Sequence, residues 1–270
     1  MLPSNKAMQI DTRRKRYTQN QVNAYLGRIG VEAPAVLEKG SLDRLIYQHI
    51  RKVPYETMDI VMGKPVSVYP DEVLPKVAMN KRGGYCFELN GAFGCLLYSL
   101  GYQVQDCSAR ILYKETELQK YRHRIVLAEV EGFKYLCDVG MAMEGPRIAL
   151  KLTADEEQYD GMCYYQFTRR DDLGWVLWQR FPKEEWQIYY AFFDVPSYDV
   201  DFKAISYYCE THPRSPFKNP IVSIKTEDGV IMMKNGRLTK SRRGEIVYEE
   251  EVSGQQMLTA VLKQYFDIIL

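Results

Sequence analysis

The first hundred residues carry apolar side chains at spacings of three and four, the period of an amphipathic helix. Proline and glycine breaks divide this pattern into separate segments. The predicted helices span residues 19–29, 41–51, 71–79 and 86–100. We therefore expect residues 1–100 to form a helical domain.

The pattern changes after residue 101 to short runs rich in β-branched and aromatic residues. The predicted strands span residues 103–112, 124–130, 133–139 and 162–169. An antiparallel sheet or barrel is the simplest arrangement for such runs, so we expect a β-barrel domain over residues 101–198. Three tryptophans, Trp175, Trp178 and Trp186, fall in one aromatic stretch, where core packing explains them better than an aromatic ligand.

The last part of the chain mixes both patterns. Two helices are predicted over residues 200–212 and 255–266, with a β-hairpin of strands 221–226 and 229–233 between them. Residues 199–270 should therefore form a small α/β domain. The fold class predicted for the whole chain is α+β.

Charge and composition exclude several kinds of partner. The chain of 270 residues has 36 basic and 35 acidic side chains, so no overall field attracts nucleic acid or a membrane surface. Residues 1–16 are polar and basic without the apolar core of a signal peptide. No run of about 18 apolar residues occurs. We expect a soluble cytoplasmic protein.

Six cysteines show neither paired spacing nor the Cys-x-x-Cys pattern of a zinc or redox site, so we expect reduced thiols and no metal. Cys86 stands out because it follows Gly83-Gly84 and falls in the first turn of a predicted helix. The free N–H groups and positive dipole end at that place favour a thiolate. The same position also suits an ordinary core cysteine.

A second segment supplies partners for this thiol. Two β-rich runs flank Glu131-Gly132, a pattern typical of a hairpin with a two-residue turn. In that register His123 lies opposite Gly140, and Asp138 is its diagonal neighbour on the same face. A one-residue error in the turn would move one of them to the other face. The alternative is an exposed histidine at a strand end and an aspartate that caps a turn.

A thiol, an imidazole and a carboxylate are the parts of an activated cysteine nucleophile. The predicted catalytic residues are therefore Cys86, His123 and Asp138. The other two histidines have no such partner in sequence. His49 lies in a predicted helix and suits a surface or packing role, and His212 precedes a proline in a turn-like stretch.

Residues 82–90, Arg-Gly-Gly-Tyr-Cys-Phe-Glu-Leu-Asn, resemble the active-site signature of the arylamine N-acetyltransferases, Arg-Gly-Gly-x-Cys-x-Glu-x-Asn. Further stretches that resemble family segments are 53–59, 108–111, 122–127, 136–140 and 215–217. The resemblance covers nearly the whole chain. The nonapeptide is a specific signal when it is combined with the spacing to the histidine and the aspartate.

The resemblance implies a helical bundle, an antiparallel β-barrel and an α/β lid, with a papain-like Cys-His-Asp site between the first two. It also implies a ping-pong reaction in which acetyl-CoA, the acyl-donor cosubstrate, acetylates Cys86 and an arylamine nitrogen then takes the acetyl group. The residues that contact the coenzyme stay unknown. No phosphate-binding glycine loop is present, and Lys240, Arg242 and Arg243 suit a solvated hairpin loop better than a phosphate site.

Some residues depart from the family pattern near the predicted site. Met141-Ala142-Met143 stands where the family has Phe-Gly, and Tyr55 and Thr57 stand for Phe and Asn. These departures leave the identity of the acyl acceptor undetermined. The alternative to an arylamine N-acetyltransferase is an amide synthase or another acyl-CoA-dependent acyltransferase. A cysteine hydrolase and a noncatalytic binding protein fit less well.

Three further residues of the nonapeptide have predicted supporting roles. We expect Arg82 and Glu88 to form a structural pair at the start of the helix, where the glutamate also suits the helix dipole. Asn90 should help to fix the loop.

Overall fold

The computed structural model describes residues 14–213, 215, 217 and 219–270. Most of the polar N-terminal tail, residues 1–13, lies outside the described residues, as does Pro216 of the stretch 215–217. In the described part, no helix has the length and apolar character needed to cross a membrane.

Helices dominate the first hundred residues, as predicted. The α-helices of the described residues are α1 Gln19–Ile29, α2 Lys39–Lys52, α3 Met58–Val61, α4 Pro70–Leu74, α5 Cys86–Leu100, α6 Lys203–Thr211 and α7 Gly254–Phe266. The bounds of α1 and α5 match the prediction, because both end at a left-handed glycine, Gly30 and Gly101. The predicted helix 71–79 is split: a π-helical turn follows α4 from Pro75, which has no backbone N–H to donate.

Strands form two antiparallel sheets. They are β1 Tyr55–Glu56, β2 Gln103–Ile111, β3 His123–Val130, β4 Phe133–Cys137, β5 Leu150–Lys151, β6 Gln158–Tyr159, β7 Tyr164–Arg170, β8 Gly174–Arg180, β9 Gln187–Phe192, β10 Ile221–Lys225, β11 Gly229–Lys234, β12 Arg237–Arg242 and β13 Glu245–Glu251. The larger sheet has the order β5-β4-β3-β2-β9-β8-β7-β6 and curls into a nearly closed barrel. Val130 pairs with Phe133, so the predicted two-residue turn is confirmed.

The smaller sheet has the order β1-β10-β11-β12-β13. Its first strand comes from the predicted helical region, since Tyr55 pairs with Ser223 of β10. The expectation of a hairpin loop for the basic cluster was wrong for two of its residues: Lys240 and Arg242 lie on β12. Only part of this strand is buried, and a half-exposed antiparallel strand accommodates long charged side chains. We propose three domains, 1–100, 101–198 and 199–270, with β1 shared between the first and the last.

The helical core and the barrel meet at α5 and β3. Phe93 and Leu96 of α5 pack in one buried cluster with Val126 and Ala128 of β3. The opposite face of β3 supplies Ile125 to the barrel core. Since β3 begins at His123 and α5 begins at Cys86, this packing brings the first residue of the strand close to the first residue of the helix.

The aromatic stretch of the barrel has a packing role. Trp175 packs edge to face on Phe167 with ring centroids 6.0 Å apart, and the Trp178 Nε1–H donates to Thr168 Oγ1 at 2.9 Å. Both tryptophans lie on β8. Both are half-buried and pack against the buried clusters of the barrel, which agrees with the packing role predicted for them.

Candidate active site

Cys86 is the first residue of α5. The preceding residue, Tyr85, has an extended backbone, and its N–H donates to the Glu88 carboxylate at 3.1 Å. This contact caps the helix start and leaves the thiol at the positive end of the helix dipole. The thiol residue is 5% exposed, and its Sγ donates to the backbone carbonyl of Arg122 at 3.7 Å.

Two glycines permit the close packing around this helix start. A Cβ on Gly83 would lie 1.9 Å from the Pro54 carbonyl oxygen. A Cβ on Gly140 would lie 2.9 Å from the Cys86 Cα and 2.6 Å from the Asn90 amide nitrogen. The segment after Asp138 therefore approaches the nucleophile closely only because it lacks a side chain at this point.

His123 and Asp138 meet beside the thiol, as the hairpin register predicts. The His123 Nε2 lies 2.7 Å from Asp138 Oδ2, and both residues are buried. Burial alone would lower the pKa of His123, but the Asp138 charge and hydrogen bond, together with a hydrogen bond to Cys86, raise it to about 10. Since Nε2 is engaged by the carboxylate, Nδ1 is the ring nitrogen left for the thiol. The raised pKa favours the charged imidazole at neutral pH.

Four donors surround the Asp138 carboxylate. Besides His123, they are the Asn90 amide at 2.8 Å, the Gly140 N–H at 2.9 Å and the Tyr190 hydroxyl at 3.1 Å. Burial acts to raise the pKa of Asp138, but His123, Asn90 and Gly140 hold it below its usual range. Asn90 thus fixes the loop, as predicted. Tyr190 carries no signal in the sequence, because one more tyrosine in a stretch rich in aromatic residues is ordinary for a strand.

Arg82 and Glu88 do not form the pair expected from their positions. Arg82 instead donates to Glu56 at 2.8 Å and to Asp59 at 3.0 Å, while Glu88 pairs with Lys76 at 2.9 Å. Lys76 also contacts Asp59, so the five charges form one network. The two residues diverge because Arg82 precedes the glycine turn and Glu88 lies inside α5. Burial raises the pKa of Glu88 to about 7 against the opposing charge of Lys76.

A cavity of about 160 Å³ opens onto the thiol. It is lined by Tyr55, Cys86, Ile111, Arg122, His123, Gly140, Met141, Ala142, Met143, Cys209 and Phe217. The methionines that replace the family's Phe-Gly are therefore part of the wall. Of the other two departures, Tyr55 lines the cavity, whereas Thr57 Oγ1 accepts the Ile221 N–H at 3.0 Å.

The segment that carries these methionines is anchored to the last part of the chain. The buried Lys225 donates to the Met141 carbonyl at 3.1 Å. The buried Arg147 donates to the carbonyls of Thr226 at 2.6 Å and Gly229 at 2.9 Å. Sequence reasoning missed both basic residues, since neither has a neighbouring motif. They hold the wall of the cavity against the β10–β11 hairpin.

The other histidines lie outside the lining of this cavity. His49 is buried in α2 and lies 3.0 Å from the Tyr25 hydroxyl, so it has the packing role that was one of its two predicted roles. His212 stacks on Tyr208 with ring centroids 4.3 Å apart.

The buried His49 gives stability a pH dependence. Burial lowers the pKa of His49 to about 3, against an ordinary value of 6.5, so its contribution is complete above pH 6.5 and is lost as the pH falls toward 3. At pH 5 we expect a loss of about 2 kcal/mol relative to pH 7 from this residue. Urea unfolding of wild type and His49→Gln at both pH values measures the difference. Equal pH dependence in the two proteins would contradict this expectation.

A family model described as N-acetyltransferase matches residues 40–270, most of the chain. The chain belongs to the arylamine N-acetyltransferase family. Among arylamine N-acetyltransferases, the protein from Mycolicibacterium smegmatis is 30% identical over 251 residues, which cover 90% of each chain.

Solved structures of this family have the same fold. The Salmonella typhimurium arylamine N-acetyltransferase superposes with a TM-score of 0.87 at 25% identity, covering 93% of this chain and 92% of that one. The Mycobacterium marinum arylamine N-acetyltransferase in complex with CoA has a TM-score of 0.84 at 26% identity, covering 92% of each. The predicted α+β fold and the predicted family are therefore confirmed.

Proposed function

We propose that this arylamine N-acetyltransferase family member moves an acetyl group from acetyl-CoA to an arylamine nitrogen through an acetyl-Cys86 intermediate. The observation that carries the proposal is the contact of His123 with Asp138 beside a thiol at a helix N-terminus. A charged imidazole next to a thiol stabilises the thiolate, which is the nucleophile.

In the first half-reaction, the Cys86 thiolate attacks the acetyl carbonyl of acetyl-CoA. The bond between that carbonyl and the coenzyme sulfur breaks, and free CoA leaves with the proton that His123 supplies. Asp138 stays ionised and keeps the imidazole oriented. We assign stabilisation of the tetrahedral oxyanion to backbone N–H groups at the start of α5.

In the second half-reaction, the acceptor nitrogen attacks the carbonyl of acetyl-Cys86. His123 takes the proton from that nitrogen, the carbon–sulfur bond breaks, and the thiolate is restored. Anilines are weakly basic and largely unprotonated at neutral pH, so they enter this step with a free lone pair. The CoA complex of the Mycobacterium marinum relative supports acetyl-CoA as the donor.

Intact-protein mass spectrometry tests the intermediate. Wild type incubated with acetyl-CoA should gain one acetyl group, and an aminosalicylate should then discharge it as the amide. Cys86→Ala should gain none. Cys95→Ala, which removes a buried thiol from the same helix outside the cavity, should still gain one.

Other outcomes separate the alternatives. Loss of the acetyl group to water without an amine would indicate a hydrolase. Absence of any adduct on wild type would contradict the proposal for acetyl-CoA. An adduct formed only with longer acyl thioesters would favour an amide synthase, for which the adaptable wall of Met141 and Met143 leaves room.

A further inference from the structure

Arg124 is a fully buried arginine next to His123 that the proposed reaction does not use. Its side chain is 0% exposed, and it is the second residue of β3. Side chains alternate along a strand, so Arg124 shares the face of Val126 and Ala128, which pack with α5. Arg124 is absent from the lining of the cavity. Any effect it has on the reaction must therefore pass through other residues.

The guanidinium of Arg124 contacts all three proposed domains. Its Nη1 donates to the Val68 carbonyl at 3.0 Å, and its Nη2 donates to Asp106 at 2.7 Å and to Asp199 at 2.6 Å. Asp106 also pairs with Arg14, so two arginines balance two aspartates in this cluster. A planar guanidinium donates in fixed directions, so these acceptors define where it lies.

Two close contacts restrict the guanidinium further. Its Cζ lies 4.7 Å from the ring centroid of Phe202, the last residue of the 3₁₀ turn that precedes α6. A Cβ on Gly91 of α5 would lie 2.6 Å from the Nη1 of Arg124 and 2.9 Å from its Cζ. The guanidinium can approach α5 this closely only because Gly91 lacks a side chain.

The backbone of Arg124 connects this anchor to the Asp138 carboxylate. The Arg124 carbonyl accepts from the Asn90 amide nitrogen at 2.5 Å, and the same nitrogen donates to Asp138 Oδ1 at 2.8 Å. Asp138 Oδ2 in turn lies 2.7 Å from His123 Nε2. A shift of the Arg124 backbone would therefore disturb both the adjacent histidine and the amide that holds the aspartate.

We propose that Arg124 is a positioning residue that holds the His123–Asp138 pair in place beside the thiol, and this inference rests on the proposed acetyl transfer. Its guanidinium anchors the start of β3 to three parts of the chain, and its carbonyl places Asn90. Such anchoring matters because a displacement of about 1 Å can slow an enzymatic reaction about 10²-fold. Arg124 thus supports the reaction without touching the substrate.

Gly91→Ala tests the proposal, because the added methyl group displaces the guanidinium and keeps its charge. The variant should fold, since alanine is favoured over glycine inside a helix. The rate constant of Cys86 acetylation, measured by rapid-quench mass spectrometry, should fall about tenfold or more. Gly27→Ala in α1 is the matched control, since a Cβ there meets nothing within 4 Å. It should keep the wild-type rate.

Arg124→Lys removes the forked donor and keeps the charge, so it should give a similar loss of rate. Both substitutions act through one side chain, so the double variant should be little slower than Arg124→Lys alone. Arg180→Lys is the control for this change. Arg180 also combines an ion pair, with Glu157 at 2.9 Å, and a ring contact, with Tyr164 at 4.3 Å. None of these three residues lines the cavity, so Arg180→Lys should keep the wild-type rate.

Alkylation of Cys86 by iodoacetamide distinguishes positioning from a general loss of stability. It needs neither acetyl-CoA nor an acceptor, and circular dichroism confirms that each variant is folded. In Gly91→Ala and Arg124→Lys the reaction should require a higher pH than in wild type, because a displaced Asp138 supports the charged imidazole less well. Both controls should keep the wild-type pH profile.

An unchanged acetylation rate in folded Gly91→Ala would overturn the proposal, as would a slower rate with an unchanged alkylation profile. Losses that multiply in the double variant would also overturn it, since the two substitutions would then act independently. Failure of wild type to form acetyl-enzyme would instead contradict the proposed function and would leave the comparison of alkylation profiles valid.

Discussion

Replacing Asp138 by Asn should slow acetylation of Cys86 roughly 10³- to 10⁴-fold. The amide keeps the size of the side chain but removes the charge that, against burial, raises the pKa of His123 to about 10. Without that charge, burial lowers the pKa of His123 and favours the neutral imidazole. Rapid-quench mass spectrometry of acetyl-enzyme formation measures the effect.

The pH dependence of thiol alkylation gives an independent signature. In wild type the thiolate beside a charged His123 should react with iodoacetamide throughout the neutral range. In Asp138→Asn the reaction should require alkaline pH, because the pKa of His123 falls and the stabilising charge is lost. Tyr190→Phe is the matched control, since it removes one hydrogen bond to the carboxylate and keeps its charge. Its effect should stay below about tenfold. Identical alkylation profiles for wild type and Asp138→Asn would refute the assignment.

Replacing Arg82 by Met should lower the free energy of unfolding by about 3–5 kcal/mol. The guanidinium lies within 3.0 Å of both Glu56 and Asp59, and Glu56 is buried. The substitution leaves that carboxylate without its closest cation, because Lys76 is 4.0 Å away. Urea unfolding monitored by circular dichroism measures the loss.

The same substitution at a surface pair is the control for Arg82. Arg170 pairs with Asp172 at 2.8 Å, but both side chains are at least half exposed. Arg170→Met should therefore cost less than about 1 kcal/mol, since water screens the pair. Comparable losses for the two variants would show that burial of the network is not what makes Arg82 important.

The sequence identified the predicted triad because its members lie in local patterns. Cys86 follows two glycines at the start of a periodic helix, and a two-residue turn sets the register that brings His123 to Asp138. Tyr190 and Lys225, by contrast, reach the site across long stretches of chain. Such contacts depend on how the barrel and the smaller sheet close, which no local spacing encodes.

Two features of the structure that the sequence did not predict involve charged residues. The strand β13 has four glutamates in seven residues, so its composition is that of a solvated segment rather than a strand. The expected pair of Arg82 with Glu88 was wrong for a related reason. Proximity in sequence suggested a contact, whereas the actual partners, Glu56 and Lys76, come from other elements.

The pairing of β1 with β10 means that the smaller sheet can be completed only late in synthesis. Tyr55 leaves the ribosome long before Ser223, its partner in the sheet. Cys209 and Phe217, which line the cavity, also emerge after Cys86, His123 and the aspartate. A nascent chain can therefore assemble the thiol and its imidazole while the cavity is still open on one side. Ribosome-bound chains at this stage lack the part of the cavity wall that Cys209 and Phe217 supply.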